Sequence, residues 1–132
     1  MITAKLKGGL GNQMFQLAAA HGAAKLHNNN MVIDFNISHH GGQGHPHRKY
    51  EDNLYKDIPR GKFKGVKFGV YHEPHFHYAP IPKFEGNLMI DGYFQTEKYF
   101  NHCRDDIIKL FTIPIVMVAL VIINFKNWFK LT

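Results

Sequence analysis

The sequence predicts an α/β domain with a small parallel sheet. Two apolar segments, residues 2–6 and 31–35, flank a glycine-rich turn and a stretch of small, helix-forming residues, and strand–helix–strand in this length is a βαβ unit with a right-handed crossover. A third apolar segment, Asn87–Asp91, supplies another core strand. With 132 residues, of which 45% are hydrophobic, the chain is long enough for one ordinary domain with a buried core.

The first strand leads into the turn that starts the helix. Gly8, Gly9 and Gly11 are expected to form this turn, because glycine allows positive φ and close approach of a ligand to the backbone. Asn12 is the expected helix N-cap, and Gln13 follows it. Free N–H groups at such a helix start suit an anionic or hydroxyl-rich ligand. The alternative is a tight turn that only packs the helix onto the strand.

The helix is expected to have one apolar face, formed by small or apolar residues four positions apart: Met14, Ala18, Gly22 and Leu26. The second strand, residues 31–35, contains Asp34 near its end. Ligands of open parallel sheets bind beyond the carboxyl ends of the strands, so Asp34 and the glycine turn could share one crevice. An Asp at this position also commonly caps a turn.

Further along the chain, residues 66–71 alternate in polarity and predict a strand, and the prolines at positions 74, 80 and 82 predict a surface loop. After the strand Asn87–Asp91, Thr96 is expected to open a helix that continues to Leu110. Its buried face is predicted to contain Phe100, Cys103, Ile107 and Leu110.

Charge and cysteine content set expectations about partners and compartment. The net charge of +6 favours anionic partners, but the densest basic run, residues 60–67, alternates with apolar residues and reads as a solvated strand edge, so nucleic acid is not the expected partner. The single cysteine, Cys103, cannot form an internal disulfide and is expected to be an inert, buried thiol. A reducing, cytoplasmic location without a signal peptide is therefore expected.

The histidine-rich segments do not predict a metal site. Residues 36–47 contain four histidines, and His72, His75 and His77 follow in the next loop, but the spacing is loose and no acidic or cysteine partner lies within the first run. No metal is expected, and residues 36–47 are expected to be a surface loop.

Two motifs resemble the α-1,2-fucosyltransferases of glycosyltransferase family 11. Residues 8–16 (GGLGNQMFQ) are similar to the family's N-terminal signature, and residues 92–100 (GYFQTEKYF) are similar to its GYFQSEKYF motif. Fainter similarities lie at residues 48–51 and 73–78. The resemblance covers residues 1–113, which it identifies as the N-terminal half of a GT-B-like, two-domain glycosyltransferase.

The resemblance implies transfer of L-fucose from GDP-fucose to the 2-hydroxyl of a galactose-terminated glycan, with inversion and without a further cofactor. By this resemblance the substrate-binding residues are Gly8, Gly9, Gly11, Asn12, Gln13, Asp34 and Gln95. Gln95 is equally compatible with a buried structural amide, and the aromatic residues Tyr93, Phe94, Tyr99 and Phe100 are expected to be structural. No residue is identified as the general base.

The family's HxRRxDY motif, which stabilises the departing diphosphate, has no copy here. Residues 102–106 are superficially similar, but position 107 is Ile where the motif requires Asp. Residues 114–132 diverge into an apolar tail that is too short to span a membrane but could associate with one. A truncated, inactive fucosyltransferase without its donor-binding domain is the expectation. A carbohydrate-binding remnant, or a basic protein that binds membrane or nucleic acid, is the alternative.

Overall fold

The computed structural model describes residues 1–36 and 50–112. Its sheet has three strands, β1 (Ile2–Ala4), β2 (Phe68–His72) and β3 (Asn87–Asp91), in the order β1-β3-β2. Both pairings are parallel. The predicted α/β class with a small parallel sheet is therefore confirmed, and β3 has the predicted bounds and is the central strand.

Helix α1 (Leu10–Leu26) is buried along most of its length rather than along one face. Met14, Ala18 and Gly22 are buried, but Leu26 is 63% exposed, so the prediction of a single apolar face through Leu26 is wrong. The helix contacts β1 on one side and the segment around Tyr99 on another. Because each of these contacts requires small or apolar residues on its own side of the helix, more than one face of α1 is buried.

The predicted second strand, residues 31–35, does not form a regular strand. It makes two isolated parallel bridges, Ile2↔Met31 and Ile33↔Arg60. The backbone N–H of Val32 donates to the carbonyl of Ile2 at 3.0 Å. The next residue, Ile33, instead forms its backbone hydrogen bonds with Pro59 and Gly61, on the side of the segment that faces away from β1. Because the segment changes its pairing partner after one residue pair, it extends the sheet without building a full ladder.

The predicted helix from Thr96 to Leu110 is interrupted. Two 3-10 turns, Glu97–Tyr99 and Asn101–Cys103, precede α2 (Arg104–Leu110). Phe100 separates the two turns with φ −141° and ψ 13°, and its buried ring lies 6.0 Å from the ring of Phe15.

The expected ends and buried face of this interrupted segment are largely correct. The Thr96 hydroxyl accepts a hydrogen bond from the Lys98 N–H at 3.4 Å, so Thr96 caps the first turn as predicted. Ile107 and Leu110 are buried and Cys103 is half-buried, which confirms most of the predicted apolar face.

Some sequence predictions lie outside the described residues: those on the histidine-rich segment from position 37 onward, on residues 48 and 49, and on the tail at 114–132. Within residues 1–36 and 50–112, no helix is long and apolar enough to cross a membrane. The same residues contain no group of three or more His, Cys, Asp or Glu side chains that could hold a metal ion.

Candidate functional site

The carboxyl ends of the three parallel strands gather polar and charged side chains at one edge of the sheet. Lys7 and Gly8 follow β1, His72 ends β2, and Asp91 ends β3 and leads to Gln95. In open parallel sheets this edge is where ligands bind. We refer to these residues, together with Asn12 and Tyr93, as the carboxyl edge.

The glycine turn contains one position that requires glycine. Gly8 has φ +78°, a conformation that side chains rarely adopt, whereas Gly9 has φ −72° and ψ 178° and is the N-cap of α1. Gly11 and Asn12 lie within the first turn of the helix. The expectation that Asn12 caps the helix and that Gly11 belongs to the turn is therefore wrong, because the N-cap is Gly9 and the helix begins three residues earlier than predicted.

Two buried glutamine side chains support the glycine turn through hydrogen bonds to its backbone. The Gln13 amide donates to the Gly8 carbonyl at 3.0 Å, and the Gln16 amide donates to the Lys7 carbonyl at 3.0 Å while its oxygen accepts from the Lys7 N–H at 2.9 Å. Gln13 also accepts a 3.0 Å hydrogen bond from the Tyr55 hydroxyl and is fully buried. Gln13, predicted to contact substrate, therefore supports the turn from within the core.

The two sequence motifs meet at Asn12 and Gln95. The Gln95 side-chain amide donates a hydrogen bond to the carboxamide oxygen of Asn12 across 83 residues of chain. Gln95 is exposed, so its interpretation as a buried structural amide is wrong. Asn12 also lies beside Gly8, where an added Cβ would come within 2.6 Å of its Nδ2. The amides and the glycine turn thus form one continuous surface.

The turn after β3 contains two consecutive aromatic residues, of which the first is exposed to solvent and the second is buried. Tyr93 is 39% exposed and its ring centroid lies 5.0 Å from Lys7 Nζ, whereas Phe94 is fully buried with φ +49°. The Glu73 carboxylate accepts from the backbone N–H groups of both residues, at 3.0 and 3.1 Å, and so fixes the turn. The structural role expected of Phe94 is confirmed, but Tyr93 lies at the surface of the carboxyl edge.

Asp91 lies between two nitrogen-bearing side chains, Lys7 after β1 and His72 at the end of β2. Lys7 Nζ donates to Asp91 Oδ1 at 2.9 Å, and His72 Nδ1 lies 3.1 Å from Asp91 Oδ2. Burial alone would raise the pKa of Asp91, but the Lys7 hydrogen bond and the charges of Lys7, Lys5 and His72 outweigh it and lower that pKa. The grouping of Lys7, His72 and Asp91 was not predicted from the sequence. The pattern that could have indicated it is that each of these residues ends or follows a strand.

Asp34 has a structural role in its own turn. Its carboxylate is only 4% exposed and accepts from the backbone N–H of Asn36 at 3.0 Å and of Phe63 at 2.9 Å. The turn-capping interpretation is therefore the one that the geometry supports. The structure does not bring Asp34 into contact with the glycine turn through these bonds, so its assignment as a substrate ligand is not retained.

A cavity of about 540 Å³ lies at the opposite end of α1. It is lined by the residues where α1 ends and the chain turns back: His21, Ala24, Lys25, Asn28, Asn29, Asn30, Met31, Val32 and Pro59. Burial lowers the pKa of His21, with a partly compensating charge from Asp106. None of the residues of the carboxyl edge lines this cavity.

Comparisons with known proteins give no match among protein-family models, curated proteins or solved structures. A function is therefore inferred from the carboxyl edge and from the two motifs that meet there.

Proposed function

We propose that this chain is the acceptor-side part of an α-1,2-fucosyltransferase-like glycosyltransferase, similar to the N-terminal half of a GT-B-like enzyme. The observation that carries the proposal is the contact between Asn12 and Gln95. These residues belong to the two stretches that most resemble the fucosyltransferases, and they meet at the carboxyl edge, where a parallel sheet binds ligands.

The chemistry of the carboxyl edge suits a sugar. A side-chain amide both donates and accepts hydrogen bonds, and each sugar hydroxyl does the same, so Asn12 and Gln95 match hydroxyl pairs. The exposed Tyr93 ring offers an apolar face of the kind on which a pyranose can lie, while Lys7 and Asp91 supply charged hydrogen-bonding groups beside it. A galactose-terminated glycan and the fucosyl group of GDP-fucose are the proposed ligands.

The start of α1 adds a site for negative charge. Gly9 is the N-cap and has no side chain, so the first N–H groups of α1 are not capped by it, and the helix dipole favours an anion there. This position suits the sugar-proximal phosphate of the donor. The family's HxRRxDY motif, which would stabilise the departing diphosphate, has no copy in this sequence, so no transfer by the chain alone is proposed.

Ligand binding tests the proposal directly. Backbone amide spectra of the ¹⁵N-labelled chain are recorded with increasing lactose, and separately with increasing GDP-fucose. We expect the largest shifts at Asn12, Tyr93 and Gln95. Asn12→Ala and Gln95→Ala should each weaken lactose binding several-fold, since each removes hydrogen bonds worth about 1 kcal/mol.

Asn101→Ala is a suitable control variant. Asn101 is also exposed, but the neighbouring His102 contacts the carbonyl of Gly22, which lies ten residues, or about 15 Å, along α1 from Asn12. The control should bind lactose as the unmodified chain does. If neither lactose nor GDP-fucose shifts the carboxyl-edge resonances, the proposed function is wrong. Binding without fucose transfer, even when a donor-binding domain is added, would favour a carbohydrate-binding protein instead.

A further inference from the structure

We propose that His72 is the general base that removes the proton of the acceptor hydroxyl, and that Asp91 is the residue that positions it. This inference rests on the proposed function, because a general base is needed only if a sugar hydroxyl reacts at the carboxyl edge. It assigns a role that neither the sequence motifs nor the resemblance supplied.

The geometry gives each imidazole nitrogen a distinct environment. Nδ1 of His72 lies 3.1 Å from Asp91 Oδ2, while 74% of the His72 side chain is exposed. A carboxylate beside Nδ1 favours the tautomer that carries its proton there, which leaves the lone pair of Nε2 available. His72 and Asp91 are paired residues on adjacent parallel strands, so the sheet itself sets their separation.

The reaction balances without any further reagent. As the acceptor oxygen forms its bond to the anomeric carbon of fucose, its proton passes to His72 Nε2, and the bond from that carbon to the diphosphate oxygen breaks. The electron pair of that bond leaves with the nucleoside diphosphate. The imidazolium then gives its proton to solvent, and the negative charge of Asp91 stabilises the imidazolium while it exists.

The charges around this pair keep Asp91 ionised. Lys7 donates to the other carboxylate oxygen at 2.9 Å, and Lys5 adds a second positive charge, so the carboxylate is a fixed negative partner rather than a proton acceptor. Glu73 follows His72 in the chain, but its carboxylate is engaged by the backbone N–H groups of Tyr93 and Phe94.

Two carboxylates are thereby poor candidates for the base. Glu73 and Asp34 each accept two backbone N–H hydrogen bonds of 2.9 to 3.1 Å, so the backbone already occupies their carboxylate oxygens. Among the described side chains of the carboxyl edge, His72 combines an exposed imidazole with a carboxylate partner at one ring nitrogen, which leaves the other nitrogen to accept a proton.

The tautomer of His72 is measured by long-range ¹H–¹⁵N spectroscopy of the imidazole in the full chain, at a pH where the ring is neutral. We expect the Nδ1–H form in the unmodified protein and a shift towards the Nε2–H form in Asp91→Ala. If Asp91→Ala does not fold, the tautomer of the unmodified chain still decides the question. A predominantly Nε2–H form there overturns the proposal.

Lactose titration provides the second measurement. The His72 ring resonances should move with lactose, those of His75 should not, and His72→Leu should lower lactose affinity about five-fold through the loss of one hydrogen bond. His75→Leu, an exposed histidine three residues away, is the matched control. Lactose that shifts Asn12 and Gln95 but not His72 overturns the role of His72 and leaves the proposed function standing. If lactose shifts none of these resonances, the role of His72 is overturned, and the proposed function is overturned as well if GDP-fucose also gives no shift.

Discussion

The side-chain amide of Gln95 donates a hydrogen bond to the carboxamide oxygen of Asn12, although 83 residues separate them in the sequence. The contact is possible because β1 and β3 are adjacent and parallel, so the segments that leave them emerge at the same edge. Asn12 lies in the first turn of α1 and Gln95 follows the turn that Glu73 holds in place. The relative position of the two amides is thus set by the sheet and by the hydrogen bonds that hold the two turns in place.

The first prediction concerns the buried hydrogen bond between Tyr55 and Gln13. Tyr55→Phe removes the hydroxyl that donates to Gln13 Oε1 at 3.0 Å and leaves the packing of the ring unchanged. We expect the free energy of unfolding to fall by about 1 kcal/mol, measured by urea denaturation. Tyr78→Phe, on a partly exposed tyrosine, is the control and should change stability by less than about 0.5 kcal/mol.

The same substitution should be visible at the glycine turn. Because Gln13 also donates to the Gly8 carbonyl, loss of its Tyr55 partner should loosen the turn and speed amide hydrogen exchange in its surroundings. Equal stability and equal exchange in Tyr55→Phe and Tyr78→Phe would contradict the supporting role that we assign to Gln13.

The second prediction concerns the contact between α1 and the segment at Tyr99. A Cβ on Gly22 would lie 2.2 Å from the Tyr99 carbonyl oxygen and 3.1 Å from Phe100 Cα. Gly→Ala within a helix normally stabilises by about 1 kcal/mol, but overpacking against backbone costs about 1–3 kcal/mol. We expect Gly22→Ala to lower the free energy of unfolding, because a backbone atom cannot rotate away.

Leu26→Ala is the control for Gly22→Ala, since it changes an exposed residue of the same helix and should alter stability by less than about 0.5 kcal/mol. Thermal or urea unfolding of the two variants under identical conditions provides the comparison. A Gly22→Ala protein that is more stable than the unmodified chain would show that the helix and the Tyr99 segment do not approach as closely as described.

These contacts show what could be predicted from sequence. Asn87–Asp91 was predicted with the correct bounds, because a short apolar run between turn residues has few other stable conformations. The interruption at Phe100 was not predicted, since the apolar spacing from Phe100 to Leu110 fits one helix. In the structure Phe100 has the non-helical angles φ −141° and ψ 13°, and its ring packs 6.0 Å from that of Phe15 on α1. Local pattern identifies an element, whereas tertiary contacts decide where it ends.

The candidate site likewise has features that could be predicted from the sequence and features that could not. Asn12 and Gln95 were found because their motifs resemble those of a known family, but their contact depends on strand order, which the sequence did not specify. The grouping of His72, Lys7 and Asp91 was missed because it joins three strand ends that lie far apart in the chain. Asp34 was assigned to the crevice from its place at a strand end, yet its carboxylate binds backbone N–H groups of its own turn and of Phe63 in another segment.

The third prediction concerns the thiol of Cys103. Burial, together with the negative charge of Asp106, raises its pKa to about 11, although Lys25 acts in the opposite direction. Two pH units above the starting value of 9.0 correspond to about 100-fold less thiolate at neutral pH. Iodoacetamide should therefore alkylate the folded chain at least about 10-fold more slowly than the chain in urea at the same pH, as followed by mass spectrometry, because the higher nucleophilicity of a thiolate of raised pKa offsets only part of the loss of thiolate. Equal rates in the two states would contradict the expected inertness of this cysteine.

The fourth prediction concerns the pH dependence contributed by Asp91. Because its pKa is lowered in the folded state, the ionised carboxylate stabilises the fold at pH values above the unfolded pKa of about 3.8. This contribution is lost as the pH falls through the folded pKa, where the carboxylate takes up a proton and gives up its pairing with Lys7 and His72. The difference in unfolding free energy between the unmodified chain and Asp91→Asn should therefore be largest near neutral pH and shrink in acid.

Lys7→Met separates the pairing from other effects of Asp91, because Lys7 supplies both a hydrogen bond and a charge to the carboxylate. When Asp91→Asn is made in the Lys7→Met background, the pH-dependent part of the stability difference should be smaller, since the folded pKa then lies closer to its unfolded value. Urea denaturation from pH 3 to pH 7 measures all four proteins. A pH dependence of the same size with and without Lys7 would mean that the lysine does not hold Asp91 in its ionised form.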